Sequence, residues 1–183
     1  DMSPDPNWIQ GVMAISARWP RFDFFTGRSY VIWPNASIPE WAKAPQVKKW
    51  AFSVWDFRGD QDREIESGFW PSGNNFWFRR RLIERGLRFE PIWATEPRFI
   101  MDAVVIGARG IIGPDAIVGH RVQPELLREE VIRKRASLVG RSFAAIRVSC
   151  RRETRPGMLL DRHPIFFRLY CSVQLLRWSL QQA

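Results

Sequence analysis

Signals for helix starts alternate with short apolar runs along residues 1–142, and this alternation constrains the fold more than any other feature. Asp5 and Pro6 precede an apolar stripe at helical spacing, and residues 24–33 form a strand-like run. Such alternation predicts a single α/β or α+β domain. The stripe of the first helix, which we expect to end at Trp19, consists of Trp8, Ile9, Val12, Met13 and Ala17.

The rest of the chain carries similar signals. Thr95 and Pro97 begin a second helix that we expect to end at Gly107. Its predicted inward face consists of Phe99, Ile100, Ala103, Val104 and Ile106. The further predicted elements before residue 121 are a helix within residues 47–55, a strand at 75–78, a helix at 79–86, and short strands at 109–112 and 116–120 separated by Gly113-Pro114-Asp115. After them we expect a helix from 124 to 135 that resumes after a break at Gly140 and reaches 152. A linker at 153–162 and a tail helix at 164–180 follow.

Length and hydropathy indicate one packed domain and no membrane span. A chain of 183 residues accommodates a single core, and no uninterrupted apolar run reaches about 18 residues. The first residues lack a signal-peptide pattern. We therefore expect a cytoplasmic protein, either free or held peripherally on the inner face of the plasma membrane. Cys150 and Cys171 have no metal-ligand spacing, which predicts reduced core thiols.

The positive charge is concentrated in the C-terminal third. Residues 121–183 contain 13 Lys and Arg against five Asp and Glu, in a chain of net charge +9. This region predicts an anionic partner, which is either the phosphates of a nucleotide or lipid, a membrane surface or, least favoured because no motif supports it, nucleic acid. The alternative is a basic face that only meets solvent.

Few residues offer catalytic chemistry. The two histidines are His120 and His163, and no nucleophile-elbow, phosphate-loop or zinc motif is present. Any general acid or general base is therefore expected to be a carboxylate. Glu96 at a predicted helix N-terminus is either a base at the edge of a cleft or a residue that stabilises the first turn of its helix.

Four elements resemble, in order and spacing, motifs of family 2 glycosyltransferases. Residues 1–9 are similar to the end of the Asp-x-Asp segment and the Pro-Asp-Pro-x-Trp-Leu helix start. Residues 73–80 resemble Gly-x-Asn-x-x-Phe-Arg-Arg, and residues 95–99 fall where the family carries Glu-Asp-x-Glu-Phe. Residues 107–122 are similar to its Ala-Gly pair followed by Pro-x-Ala-x-Val-x-His.

The resemblance implies a partial GT-A fold that lacks the N-terminal nucleotide-binding strands and carries C-terminal helices. It implies an inverting enzyme that transfers sugar from a nucleotide-sugar donor to a glycan or lipid-linked acceptor. Asp1 takes the position of the carboxylate that holds Mg²⁺ or Mn²⁺ on the donor diphosphate, and His120 that of a histidine that assists it. From the residue alone, a histidine at a strand end is equally a structural hydrogen-bonding group.

The catalytic base of the family aligns with Glu96, where this sequence departs from the motif. The usual Glu-Asp is Thr95-Glu96, and Pro97 follows. A carboxylate one methylene longer moves the basic oxygen by about 1.5 Å, and a shift of about 1 Å can lower a rate on the order of 100-fold. We therefore expect the chain by itself to be inactive.

Other residues are expected to bind substrate. The resemblance places Asn75 in the loop beside the acceptor, and Trp93 in the aromatic loop before Glu96 is also expected to contact substrate. Arg121 and Arg128 are candidates for binding phosphate oxygens. The same candidate phosphate-binding set includes Arg133, Lys134 and Arg135.

The sequence predicts two domains and leaves an alternative function open. Residues 1–142 are expected to form the glycosyltransferase half, and residues 143–183 a basic amphipathic tail that either lies at a membrane interface or packs as a buried helix. The alternative function is a non-catalytic module that binds a membrane or a partner enzyme on the same scaffold.

Overall fold

The structure is a computed structural model that describes residues 1–55, 57, 59–66, 71–89 and 95–153. Trp93, Cys171, the linker beyond residue 153 and the predicted tail helix lie outside the described residues, as does the side chain of Cys150. The strands are β1 (Met2–Pro4), β2 (Phe24–Ile32), β3 (Arg63–Glu64), β4 (Phe76–Phe78) and β5 (Gly110–Arg121), and the helices are α1 (Trp8–Arg18), α2 (Pro45–Ala51), α3 (Arg81–Glu84), α4 (Thr95–Val105) and α5 (Glu129–Glu153). Single 3₁₀ turns occupy Glu40–Lys43, Gly73–Asn75 and Pro124–Leu127.

A mixed sheet in the order β1-β5-β2-β4 forms the centre of the fold. β2 and β5 pair in parallel, while β1 and β3 pair antiparallel with β5 and β4 pairs antiparallel with β2. A parallel pair needs a long crossover between its strands, and α2, α3 and α4 lie within this one. The described residues therefore confirm the predicted α/β class.

β5 is one strand of 12 residues rather than the two short strands that the sequence predicts. Gly27 pairs with Gly113 and the next residue of β2, Arg28, pairs with Ile117, so Pro114, Asp115 and Ala116 bulge out of the ladder. Proline is tolerated at such a position because its missing N–H removes no ladder hydrogen bond. The Gly-Pro-Asp sequence therefore marks a bulge and not a turn.

Two clusters of apolar side chains cover the two faces of the sheet. Phe24 and Phe25 are consecutive in β2, so their rings point to opposite faces. Phe24 packs against Phe99 and Ile100 of α4, and Phe25 packs in the cluster of Ile15 from α1. The sheet is therefore covered by α4 on one face and by α1 on the other.

A third cluster joins α2 to the segment that leads into α5. Phe52 after α2 and Val122 after β5 are buried together, with Leu126 and Ile132 packed against them. This contact brings α2 close to the first turn of α5, although the two helices are more than 75 residues apart in the chain. The third cluster thus fixes the positions of the two helices that line the cleft described below.

The faces of two helices differ from the prediction. α1 buries Gly11 and Ile15, whereas Ile9 is 55% and Met13 is 67% exposed. In α4, Val104 is 55% exposed. α1 approaches the β5 bulge through Gly11, and this close approach sets which side of the helix faces the sheet.

The boundaries of two further elements also differ. α2 begins at Pro45, two residues before the predicted helix, and α5 continues through Gly140 without a break. Nothing lies within 4 Å of a Cβ built on Gly140, which is exposed, so this residue is only a weak helix former inside an intact helix.

The chain divides into two compact units, Asp1–Ile146 and Arg147–Ala183. The first contains the sheet and all three apolar clusters, and the described part of the second is the helical segment of residues 147–153. Among the described residues, no helix is long and apolar enough to cross a membrane.

The packing of Gly27 beneath the β5 bulge gives a stability prediction. A Cβ on Gly27 would collide with the Ala116 carbonyl oxygen and the Asn75 side chain, so Gly27→Ala should lower the free energy of unfolding by about 1–3 kcal/mol. Gly140→Ala is the matched control and should raise it by up to about 1 kcal/mol. Urea denaturation measures both; equal effects of the two substitutions would contradict the close packing at Gly27.

Candidate functional site

A cleft of about 620 Å³ opens beside the end of β5. It is called the Glu96 cleft here because, within the described residues, Glu96 is the one carboxylate in its lining. The segments 71–74 and 96–97 form one part of the wall, and His120 and Met2 form another. The remaining lining residues are Lys49, Trp50, Ser53, Trp55, Leu126, Val131, Lys134, Arg135, Leu138, Val139 and Ser142.

Glu96 enters the cleft from the first turn of α4. Its side chain lies against the turn at Gly73, where an added Cβ would collide with the carboxyl group. Gly73 therefore leaves the space in which the Glu96 side chain is held. The carboxylate also lies near the N-terminus of α4, where the helix dipole favours negative charge.

His120 lies near the end of β5, half-buried in the cleft wall. Its Nδ1 contacts the carbonyl oxygen of Phe52, and because a carbonyl only accepts, Nδ1 carries the hydrogen and Nε2 holds the lone pair. Burial lowers the pKa of His120 below its usual value, and the nearby positive charge of Arg135 adds to this effect, while the hydrogen bond to Phe52 opposes it. The imidazole is therefore neutral at pH 7.

Lys49 covers two tryptophan rings at another wall of the cleft. Its Nζ lies 4.2 Å from the ring centre of Trp55 and 5.1 Å from that of Trp50. Both contacts fall within the range of cation–π attraction. Burial lowers the pKa of Lys49. The cleft thus holds a partly desolvated ammonium beside aromatic surface.

Asn75 is buried beneath the cleft, and its side chain is fully hydrogen-bonded. Oδ1 accepts from Nε1 of Trp8 at 3.0 Å, and Nδ2 donates to the carbonyl oxygens of Arg28 and Ala116, both at 2.8 Å. The backbone oxygen of Asn75 accepts from the Thr26 hydroxyl. These partners leave Asn75 a positioning role for the turn at residues 73–75, with no amide atom open to a ligand.

Three other residues singled out in the sequence, Asp1, Arg121 and Arg128, lie outside the described lining of the cleft. The carbonyl oxygen of Asp1 accepts from the Arg121 amide, which places Asp1 beside the end of β5. The Arg121 side chain is exposed and lies 3.4 Å from the Ser3 hydroxyl, and Arg128 is exposed just before α5. Of the predicted phosphate-binding set, the structure brings Lys134 and Arg135 into the cleft.

The side chains that line the cleft provide few metal ligands. In the described ranges, no group of three or more His, Cys, Asp or Glu side chains meets at one point. His120 offers Nε2, while Asp1 directly precedes β1 and is outside the described lining. A divalent cation here would therefore take most of its ligands from a bound diphosphate or from other residues.

Sequence reasoning missed Lys49, Trp50 and Trp55 as parts of the site. They belong to the segment of residues 34–68, where periodicity is weak and a short helix was the only expected element. Their signal was the grouping of a lysine with tryptophans in a long connection, because such connections often carry function. The third apolar cluster, which contains Val47, Phe52 and Val54 of the same segment, helps to bring them to the same cleft as Glu96.

Comparisons of the chain with protein-family models, with curated proteins and with solved structures found no match. The functional assignment therefore rests on the residues and geometry described above.

The hydrogen bonds of Asn75 predict a large stability effect. Asn75→Ala would remove three hydrogen bonds, of which the one to Ala116 is buried and the other two are partly buried, and should lower the free energy of unfolding by about 2–4 kcal/mol. Asn35→Ala, at an exposed bend, is the control and should change it by less than about 0.5 kcal/mol. Urea denaturation checks both; a small effect at Asn75 would show that water replaces its partners.

The surroundings of His120 predict its titration. In an NMR titration, with the signal assigned from His120→Gln, its pKa should lie below the usual histidine value of about 6.5. Arg135→Gln should raise this pKa because it removes a positive charge, whereas Arg133→Gln, which removes a partner of Glu129, should leave it nearly unchanged.

The same pKa shift has a consequence for stability. The folded chain binds this proton less readily than the unfolded chain, so the contribution of His120 is present above about pH 6.5 and declines as pH falls below it. A pKa at or above the usual value would contradict the buried, neutral imidazole.

Proposed function

We propose that the Glu96 cleft is the acceptor side of an inverting glycosyltransferase site that uses a nucleotide-sugar donor. One observation carries the proposal: Glu96 from α4 and His120 from β5, two of the site residues that the family resemblance implies, line the same cleft. The mixed sheet flanked by helices is compatible with the GT-A type of fold that the resemblance implies.

Glu96 is the proposed base. Its carboxylate takes the proton of an acceptor hydroxyl while that oxygen forms a bond to the anomeric carbon of the donor. The bond between this carbon and the diphosphate oxygen breaks at the same time, and the diphosphate leaves with the electron pair. Because the hydroxyl oxygen attacks from the face opposite the leaving diphosphate, the configuration of the anomeric carbon is inverted. Gly73 supports this step because it lets the carboxylate rest against a fixed turn.

The walls of the cleft support a polar ligand with apolar surface. Trp50 and Trp55 supply aromatic area of the kind that sugar rings and apolar chains contact. Asn74 and Ser53 are joined by a hydrogen bond from Nδ2 of Asn74 to the Ser53 carbonyl oxygen, which fixes this side of the opening. The hydroxyls of Ser72 and Ser142 add hydrogen-bonding groups to the lining.

The resemblance also implies Mg²⁺ or Mn²⁺ at the donor diphosphate. When bound, such an ion neutralises the charge that develops on the leaving group. His120 would offer it Nε2, the atom left open by the bond of Nδ1 to Phe52, and Asp1 would offer its carboxylate from the position just before β1. Neutral His120 suits this role because a protonated imidazole has no free lone pair.

The proposal predicts loss of transfer in Glu96→Gln. Since the resemblance assigns donor binding to strands before the matched region, the chain is joined to the nucleotide-binding half of a family 2 enzyme and supplied with radiolabelled nucleotide sugars. Removal of the base should lower transfer by about 100-fold or more. Glu66→Gln, at an exposed position, is the control and should leave transfer unchanged.

Thermal unfolding of each variant establishes that loss of transfer is not loss of folding. If the fused protein transfers sugar equally well with Glu96 and with glutamine in its place, Glu96 is not the base. If a folded fusion binds the donor and transfers nothing with Glu96 intact, the non-catalytic module becomes the better account.

A further inference from the structure

One face of α5 lines the Glu96 cleft, and its side chains follow a clear order. The lining residues recur at helical spacing, so they lie along one stripe of the helix. Apolar Val131 comes first, the basic pair Lys134 and Arg135 follows, and apolar Leu138 and Val139 come one turn later. The stripe therefore presents a single turn of positive charge between two apolar turns.

The two cations of this stripe differ from their neighbour outside it. Arg133 donates two hydrogen bonds to Oε1 of Glu129, one turn earlier, and so has its charge balanced within the helix. Within the described part of the chain, neither Lys134 nor Arg135 forms an ion pair with a carboxylate. The two charges that line the cleft are thus the ones available to an anion.

Lys49 adds a third positive charge from another wall. Its ammonium lies over Trp55 and Trp50, and its side chain is only partly exposed, so that water solvates it incompletely and burial lowers its pKa. Among the described lining residues, Glu96 is the one negative charge opposite these three positive charges. A bound anion would reduce this imbalance and would gain from the partly desolvated surroundings.

We propose that the Glu96 cleft binds an acceptor that carries, in addition to the hydroxyl that reacts, a phosphate group on an apolar chain, with the phosphate between Lys134 and Arg135. The basic turn fits the phosphate oxygens, and the apolar residues on either side of it, Val131 and Leu138 with Val139, fit the chain. The inference rests on the proposed function only in calling the ligand an acceptor; the binding itself depends on the cleft alone.

Calorimetric titration of the full chain with citronellyl phosphate, an isoprenoid phosphate, tests the proposal at low salt. Saturable binding is expected, and Lys134→Ala and Arg135→Ala should each weaken it by about tenfold, because each removes a charge-assisted bond to phosphate. Arg133→Ala is the matched control and should leave it unchanged. Citronellol, which has the chain without the phosphate, and glucose 1-phosphate, which has the phosphate without the chain, should both bind more weakly.

Several results would overturn the proposal. The proposal is wrong if citronellyl phosphate shows no saturable binding, or if citronellol or glucose 1-phosphate binds as tightly as citronellyl phosphate does. It is also wrong if Arg133→Ala weakens binding as much as Lys134→Ala and Arg135→Ala do. Tighter binding of UDP that depends on the same two cations would assign them to the donor and would also overturn it. Glu96→Gln is expected to retain binding of citronellyl phosphate, so a failure of the catalytic proposal is distinguishable from a failure of this one.

Discussion

The hydrogen bonds of Asn75 hold together the elements on which the rest of the structure depends. One buried amide joins α1 through Trp8, β2 through Arg28 and the β5 bulge through Ala116. Because a buried amide is costly unless all its partners are present, these three elements take one relative position. The turn before β4, against which Glu96 rests, is part of the same arrangement.

The electrostatics of the cleft follow from where its charges are placed. Two arginines elsewhere are satisfied by the fold: Arg79 donates to the carbonyl oxygens of Phe22, Ser16 and Trp19, and Arg81 pairs with Asp23. Lys49, Lys134 and Arg135 instead line a cavity with a single carboxylate among its described residues. The imbalance favours an anionic ligand, and the charge of Arg135 adds to the burial that lowers the pKa of His120.

Local signals predicted most elements because short-range chemistry sets them. The Asp5-Asn7 contact precedes α1, and Gly107 ends α4 with a φ of 83°, as expected of a helix that stops at glycine. The errors arose where distant contacts intervene. The face of α1 and the continuity of β5 both depend on the bulge, whose position is set by pairing with β2 and by Asn75.

The sequence by itself predicted a domain that combines helices and strands and the positions of its main elements, because period and capping are local properties. Glu96 was a candidate from its place at a helix N-terminus, whereas the role of His120 came from the resemblance of its motif to a known family. Only the tertiary structure decided which residues meet. It turned Asn75 inward and set Lys49 and its tryptophans beside α5, since these contacts join segments far apart in the chain. The shape and charge of the cleft belong to that packing and cannot be read from any one segment.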